Sequence, residues 1–116
     1  MQECMVSYKR VMAPLDLSTY SEPTFMHAYT MAKALGAELV LINVINSRGL
    51  DALDKLAAEG YAVSRERYVE TVMADRRGIF EKEFIPRAAG VKVSLLFKVG
   101  LPYDEIIKAA KEESID

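Results

Sequence analysis

Asp16 is the carboxylate that this chain sets where binding or chemistry could occur. It stands in the run Pro14-Leu15-Asp16-Leu17-Ser18, which closes a short apolar stretch. A carboxylate there either caps the turn into the next element or faces a ligand, and spacing alone leaves both roles open. Reactive alternatives are few. His27 is the single histidine, and on a helix it falls about 200° round from Phe25, on the solvated side. A Ser-His or Cys-His pair would have to use that one residue, and Ser18 belongs to a different element. Cys4 is the single cysteine, so the chain writes no internal disulfide, no Cys-x-x-Cys redox pair and no Cys-rich zinc site. The glycines stand at 36, 49, 60, 78, 90 and 100, with no two closer than ten residues. That spacing spells neither the dinucleotide fingerprint GxGxxG nor the phosphate loop GxxxxGK(S/T). Leu15 to Ser21 lacks the glycine of a flavodoxin-type phosphate loop, and Val99-Gly100 lacks the phospho-accepting aspartate of a receiver domain. These residues suit binding, and an enzyme is not expected.

The elements that must hold Asp16 alternate between strand-like and helix-like stretches. Tyr8 to Leu15 is short and apolar, a first strand. Ser21 is expected to cap the helix that follows, with Glu22 and Pro23 in its first turn. Phe25, Ala28, Tyr29, Ala32 and Leu35 recur at three- and four-residue spacing on one face, and Gly36 stands where a left-handed cap belongs. Glu38 to Ile45 is apolar on both alternating faces, the pattern of a strand covered on two sides. Val91 to Val99 sets Val91, Val93, Leu95, Phe97 and Val99 against Lys92, Ser94 and Lys98, so it has one wet face or lies at a sheet edge. Gly100 ends it, and Pro102 opens a last helix carrying Ile106, Ala109 and Ala110.

Asn46 to Gly90 is too long for a simple connection. Leu50, Leu53 and Leu56 suggest one short helix; Tyr61, Tyr68, Val69, Val72, Ile79, Phe80 and Phe84 suggest a long one ending before Pro86. On this reading Tyr61 and Tyr68 belong to the core. Arg65-Glu66-Arg67 and Arg76-Arg77 read as surface charge offset by Glu70, Glu81 and Glu83. The order β-α-β-α-β-α means an α/β fold with a parallel sheet and right-handed crossovers. Ligands then bind beyond the carboxyl ends of the strands, and among those ends only the first carries a carboxylate, Asp16.

Size and charge narrow the class. The chain has 116 residues, 15 Lys+Arg against 17 Asp+Glu and a formal net charge of −2. One domain over residues 1–116 is expected, large enough to fold without disulfides or structural metal. The slight negative charge argues against nucleic acid as the main partner. The longest apolar run, Leu39 to Ile42, is far too short for a membrane span, and no secretory signal is legible, so a cytoplasmic location is expected.

Three stretches together resemble a known family. Lys9-Arg10-Val11-Met12-Ala13-Pro14-Leu15-Asp16-Leu17-Ser18 is similar to the opening strand and P-x-D-x-S turn of universal stress (UspA-like) proteins. The run from Ala32 to Ile45 resembles that family's first helix entering its second strand. Val99-Gly100-Leu101-Pro102-Tyr103-Asp104-Glu105-Ile106-Ile107 resembles its V-G-x-P-x-x-x-I signature. The match covers nearly the whole chain outside the variable middle, 47–87. It implies a Rossmann-like parallel sheet in order 3-2-1, part of the family order 3-2-1-4-5, with helices on both faces.

The resemblance also implies a stress-response, ATP-binding domain, with Mg²⁺ accompanying the nucleotide. Carried over by position, Pro14, Leu15 and Asp16 would line or bond the adenosine and Val44 would contact the adenine. Family members that bind ATP cradle its phosphates with a G-x-x-G-x₉-G-S/T stretch after the fourth strand. This sequence stops at Asp116, before the place of that strand, so the resemblance implies an incomplete phosphate site. The alternative within the family is a homo-oligomeric interaction module that binds no nucleotide. In the order 3-2-1, the far side of strand one has no partner. A homodimer or higher oligomer formed through that exposed edge or face is therefore expected, with itself as the protein partner.

Overall fold

The computed structural model describes residues 7–115. Three parallel strands form one sheet in the order β1-β2-β3: β1 is Arg10–Pro14, β2 Glu38–Asn46 and β3 Val93–Gly100. The register runs from Arg10 opposite Glu38 to Pro14 opposite Ile42, and from Leu39 opposite Val93 to Asn46 opposite Gly100. Helix α1, Ser21–Leu35, connects β1 to β2, and α2 (Ser47–Ala58) and α3 (Arg65–Ile79) lie between β2 and β3. Helix α4, Pro102–Glu112, follows β3. The strand order matches the expected 3-2-1, and β3 is an edge strand. Cys4 lies outside the described residues.

Local chemistry explains most element limits. Gly36 ends α1 in the left-handed conformation at φ 64°, with its N–H on the Ala32 and Lys33 carbonyls. A side chain there would meet its own backbone, which is why glycine stands at this cap. Pro102 opens α4, where its missing N–H costs nothing. The Asn46 side chain accepts from the Arg48 N–H at the start of α2.

Both faces of the sheet are covered, as the double apolar pattern of β2 requires. Ala13, Leu39 and Leu41 pack with Phe25, Ala28 and Ala32 of α1 and with Phe80 and Phe84, all buried. On the alternate face Val40 and Ile42 are buried, as is Ala109 of α4. Each such large side chain removed from water contributes about 1.5–3 kcal/mol. Phe80 and Phe84 lie on a π-helical turn, Phe80–Phe84, that continues α3 and passes into a 3₁₀ turn at Ile85–Arg87. Edge-on contacts join Phe84 to Phe25 at 5.2 Å and Phe80 to Phe97 at 6.0 Å between ring centroids.

Several expectations are corrected. Ser21 is not the cap but the first helical residue of α1; Tyr20 holds the cap position without a side-chain bond. Leu35, the last residue of α1, is exposed and lies off the core face. Tyr61 and Tyr68 are 62% and 47% exposed and do not belong to the core. Tyr61 precedes α3, whose true cap is Ser64, its hydroxyl accepting from the Arg67 N–H. Of the leucines on α2, only Leu50 is buried. In β3 the alternation holds, with Val93, Leu95 and Phe97 packed against the core, although all eight of its residues are half-buried, as befits an edge strand. Helix α3 buries no side chain.

Candidate functional site

Beyond Pro14 the backbone turns sharply, and the turn is fixed from several directions. The Leu15 N–H still donates to the Ile42 carbonyl at 2.9 Å, as if β1 ran one residue further. Asp16 Oδ1 then accepts from the Ser18 N–H at 2.9 Å, closing an Asx turn. Between them Leu17 sits at φ 64°, a left-handed conformation that a residue with a branched side chain rarely adopts. Such a conformation costs about 1–3 kcal/mol and persists only where its surroundings over-determine it.

Two buried side chains supply that constraint. Ser21 and Asn43 are the buried polar residues among the described ones, 3% and 1% exposed, and both bond this turn. Ser21 Oγ donates to Asp16 Oδ1 at 3.2 Å from the first turn of α1. Asn43 Nδ2 donates to the Leu15 carbonyl at 2.7 Å from the centre of β2. Hydrogen bonds from Ser18, side chain first and then backbone, hold the Asp16 carboxyl below its ordinary value, with Ser21 adding to the effect. Asp16 is therefore ionised near neutral pH.

The turn forms one wall of a cavity of about 330 Å³ at the carboxyl ends of β1 and β2. Pro14, Leu15, Ile42 and Val44 give its apolar floor, Pro102 and Ile106 of α4 its far side, and Asp16, Tyr20, Ser21 and Thr24 its polar rim. All four residues singled out from the resemblance, Pro14, Leu15, Asp16 and Val44, line this one space. The expectation that Asp16 caps a turn holds at the same time. Tyr20, Ser21, Thr24, Ile42, Pro102 and Ile106 were not singled out. The pleat offered a signal for Ile42, which shares a strand face with Val44, and the one-turn spacing of Pro102 and Ile106 offered another.

No lysine or arginine lines the cavity. Two helix starts face it, and both carry acid in the first turn: Glu22 on α1, and Asp104 and Glu105 on α4. With Asp16 ionised, this end of the sheet attracts donors and apolar rings and repels anions. His27 is exposed and lies outside the cavity lining. Among the described residues no cluster of three or more His, Cys, Asp or Glu could hold a metal ion, and no helix is long and apolar enough to cross a membrane.

The model of the Universal stress protein family matches residues 7–116. The chain belongs to that family. It is 27% identical over 123 residues to universal stress protein MJ0577 of Methanocaldococcus jannaschii, across 96% of this chain and 74% of that protein. A solved structure of MJ0577 superposes with a TM-score of 0.68 at 25% identity, covering 96% of this chain and 72% of the other. Universal stress protein UspA from Lactobacillus plantarum shares the fold, with a TM-score of 0.70 at 21% identity over 97% and 75% of the two chains. A universal stress protein solved in complex with cAMP also shares it, with a TM-score of 0.58 at 19% identity over 96% and 70%. In this universal stress domain the P-x-D-x-S turn and the V-G-x-P helix start meet across the cavity.

Proposed function

We propose that the cavity binds the nucleoside part of an adenine nucleotide. The observation that carries this reading is the convergence of Pro14, Leu15, Asp16 and Val44 on one apolar-floored space with a single ionised carboxylate at its rim. A planar ring suits the Leu15, Ile42 and Val44 floor, and Asp16 suits ribose hydroxyls, which donate to a carboxylate. The cAMP complex of a relative supports the ligand class. With no basic residue in the lining, phosphates add little and point outward. ATP, with Mg²⁺ neutralising its phosphates, and adenosine should then bind with dissociation constants within about tenfold of each other.

Calorimetric titration of the chain with adenosine, ATP plus Mg²⁺, and guanosine tests this. Saturable binding of both adenine compounds, with guanosine much weaker, is the expected result. Heats indistinguishable from dilution for adenosine and ATP at millimolar concentration reject it.

A second reading, association of two copies, is favoured by a separate apolar cleft of about 660 Å³ beside β1. Tyr8, Met31 and Leu35, 45%, 54% and 45% exposed, line it together with Val11, Met12 and Ile115. Large apolar side chains gathered on one surface are what a self-complementary interface uses. Light scattering at about 50 µM, above typical specific dissociation constants, is expected to return a dimer, and Leu35→Glu a monomer. A monomeric unmodified chain at that concentration excludes this reading.

A further inference from the structure

We infer that Arg76 is a positioning residue for the cavity, acting through Asn43, so that the docking of α3 and the binding of a ligand are coupled. The chain of contacts is short. Arg76 Nη1 donates to Asn43 Oδ1 at 2.6 Å, and Asn43 Nδ2 donates to the Leu15 carbonyl at 2.7 Å. An amide can present either its oxygen or its nitrogen to a given neighbour. The guanidinium, which only donates, settles which way round Asn43 sits: oxygen towards Arg76, nitrogen towards Leu15. Turned over, the same amide would set its NH₂ against the guanidinium and its oxygen against the Leu15 carbonyl. Both contacts therefore select the same orientation of the amide.

Arg76 comes from a helix that buries no side chain of its own and is anchored just past its end by Phe80 and Phe84. Arg76 and Arg77 of the last turn of α3 reach the sheet. Arg77 lies over the Phe97 ring at 5.1 Å, on β3 and away from the cavity. Arg76 alone of the two is connected to the turn that carries Asp16. The turn is where such a connection matters, because Leu17 holds a left-handed backbone that relaxes when its restraints are removed. Loss of the Arg76 contact leaves the buried Asn43 Oδ1 without its donor, weakens the hold of this amide on Leu15 and loosens the Asp16 carboxylate at the cavity rim. By reciprocity, a ligand that fixes the turn must also strengthen the docking of α3. The reading of Arg76 as surface charge is corrected; Arg77 is exposed, as that reading expects.

The coupling rests on the nucleoside reading of the cavity; the relay itself does not. Amide hydrogen exchange and adenosine titration of the wild type, Arg76→Ala, Arg76→Lys and Arg77→Ala separate the two. Exchange at the Leu15 and Ser18 amides, taken relative to Leu41 in the central strand, should speed about tenfold in Arg76→Ala. It should recover in part in Arg76→Lys and stay unchanged in Arg77→Ala. Adenosine should bind Arg76→Ala about threefold or more weakly and Arg77→Ala as it binds the wild type. Equal acceleration in the two alanine variants, or none beyond that of Leu41, overturns the relay. Undiminished adenosine binding by Arg76→Ala with a loosened turn overturns the coupling. A wild type that binds no adenosine rejects the nucleoside reading and with it the coupling, and the exchange comparison still decides the relay.

Discussion

Phe80→Ala is expected to destabilise the chain by about 3–5 kcal/mol, the range for removing a fully buried aromatic side chain. Phe80 is 0% exposed and stands where two parts of the core meet. Its ring contacts Phe84 at 5.8 Å within the π turn and the edge strand residue Phe97 at 6.0 Å between centroids. Replacement by alanine loses the transfer free energy of the ring and leaves a space walled by Phe84, Phe97 and the strands, which rigid neighbours cannot fill. A domain of this size has about 5–15 kcal/mol of stability in all, so the loss takes a large share of it. Urea unfolding should show a lower midpoint, with a fall in melting temperature of roughly 10–20 °C. Phe80→Leu keeps most of the volume and should cost about 1–2 kcal/mol. A cost below about 1 kcal/mol for the alanine variant would mean that the π turn does not pack on the sheet as described.

Phe80 also shows why the ends of the chain were easier to read than its middle. Its burial was legible from the sequence, but the turn that buries it was not, because nothing in Gly78 to Phe84 distinguishes an i→i+5 turn from an α-helical one. Elsewhere the signals were local and unambiguous. Gly36 after Leu35, Pro102 after Gly100, and the apolar pattern on both faces of β2 each admit one structure. The start of α3 carries a capping residue, Ser64, but the periodic spacing of Tyr61 and Tyr68 runs across it and hides the boundary. Tyrosines cover apolar surface while keeping a hydroxyl in water, so periodic spacing does not commit them to a core.

At the site, the motif residues were legible and their supports were not. Pro14, Leu15, Asp16 and Val44 lie near two strand ends, and any parallel sheet brings those ends together. Arg76 was out of reach, because nothing local says that a charged helix residue will lie against a strand far from it in sequence. Asn43 did announce itself. A polar residue inside ELVLINVI must find a partner when the strand is buried on both faces, since an unpaired buried amide costs several kcal/mol. That rule asks for a partner but cannot name it, and only the packing of α3 supplied the arginine.

The sheet has a second polar tie at its opposite end, and it gives the chain a dependence on acid. Glu38 at the start of β2 accepts from Arg10 Nε of β1 at 3.1 Å and from Ser94 Oγ of β3, so one carboxylate joins all three strands. Arg10 also meets the Glu113 carboxylate at 3.6 Å, tying in the end of α4. The Ser94 hydrogen bond first, then the charges of Arg10 and Lys92, hold the Glu38 carboxyl below its ordinary value of 4.5. A group whose folded value is depressed contributes its full stabilisation above the unfolded value and loses it as the pH falls through the folded one. Above about pH 5 Glu38 therefore supports the fold, and in stronger acid that support disappears. The Glu38 side chain is 13% exposed and that of Arg10 37%, so water screens the pair in part. Glu38→Ala, which removes both charge-assisted bonds, should cost about 2–3 kcal/mol at pH 7. Glu38→Gln keeps an acceptor without the charge and should cost about half as much. Urea unfolding of the wild type and Glu38→Gln between pH 7 and pH 3 checks the assignment. Their stabilities should converge as the carboxylate is protonated, because the protonated acid and the amide offer Arg10 and Ser94 nearly the same neutral acceptor. A gap that stays constant down to pH 3 would mean that the cost of Glu38→Gln is steric and that the charge does not hold the three strands together.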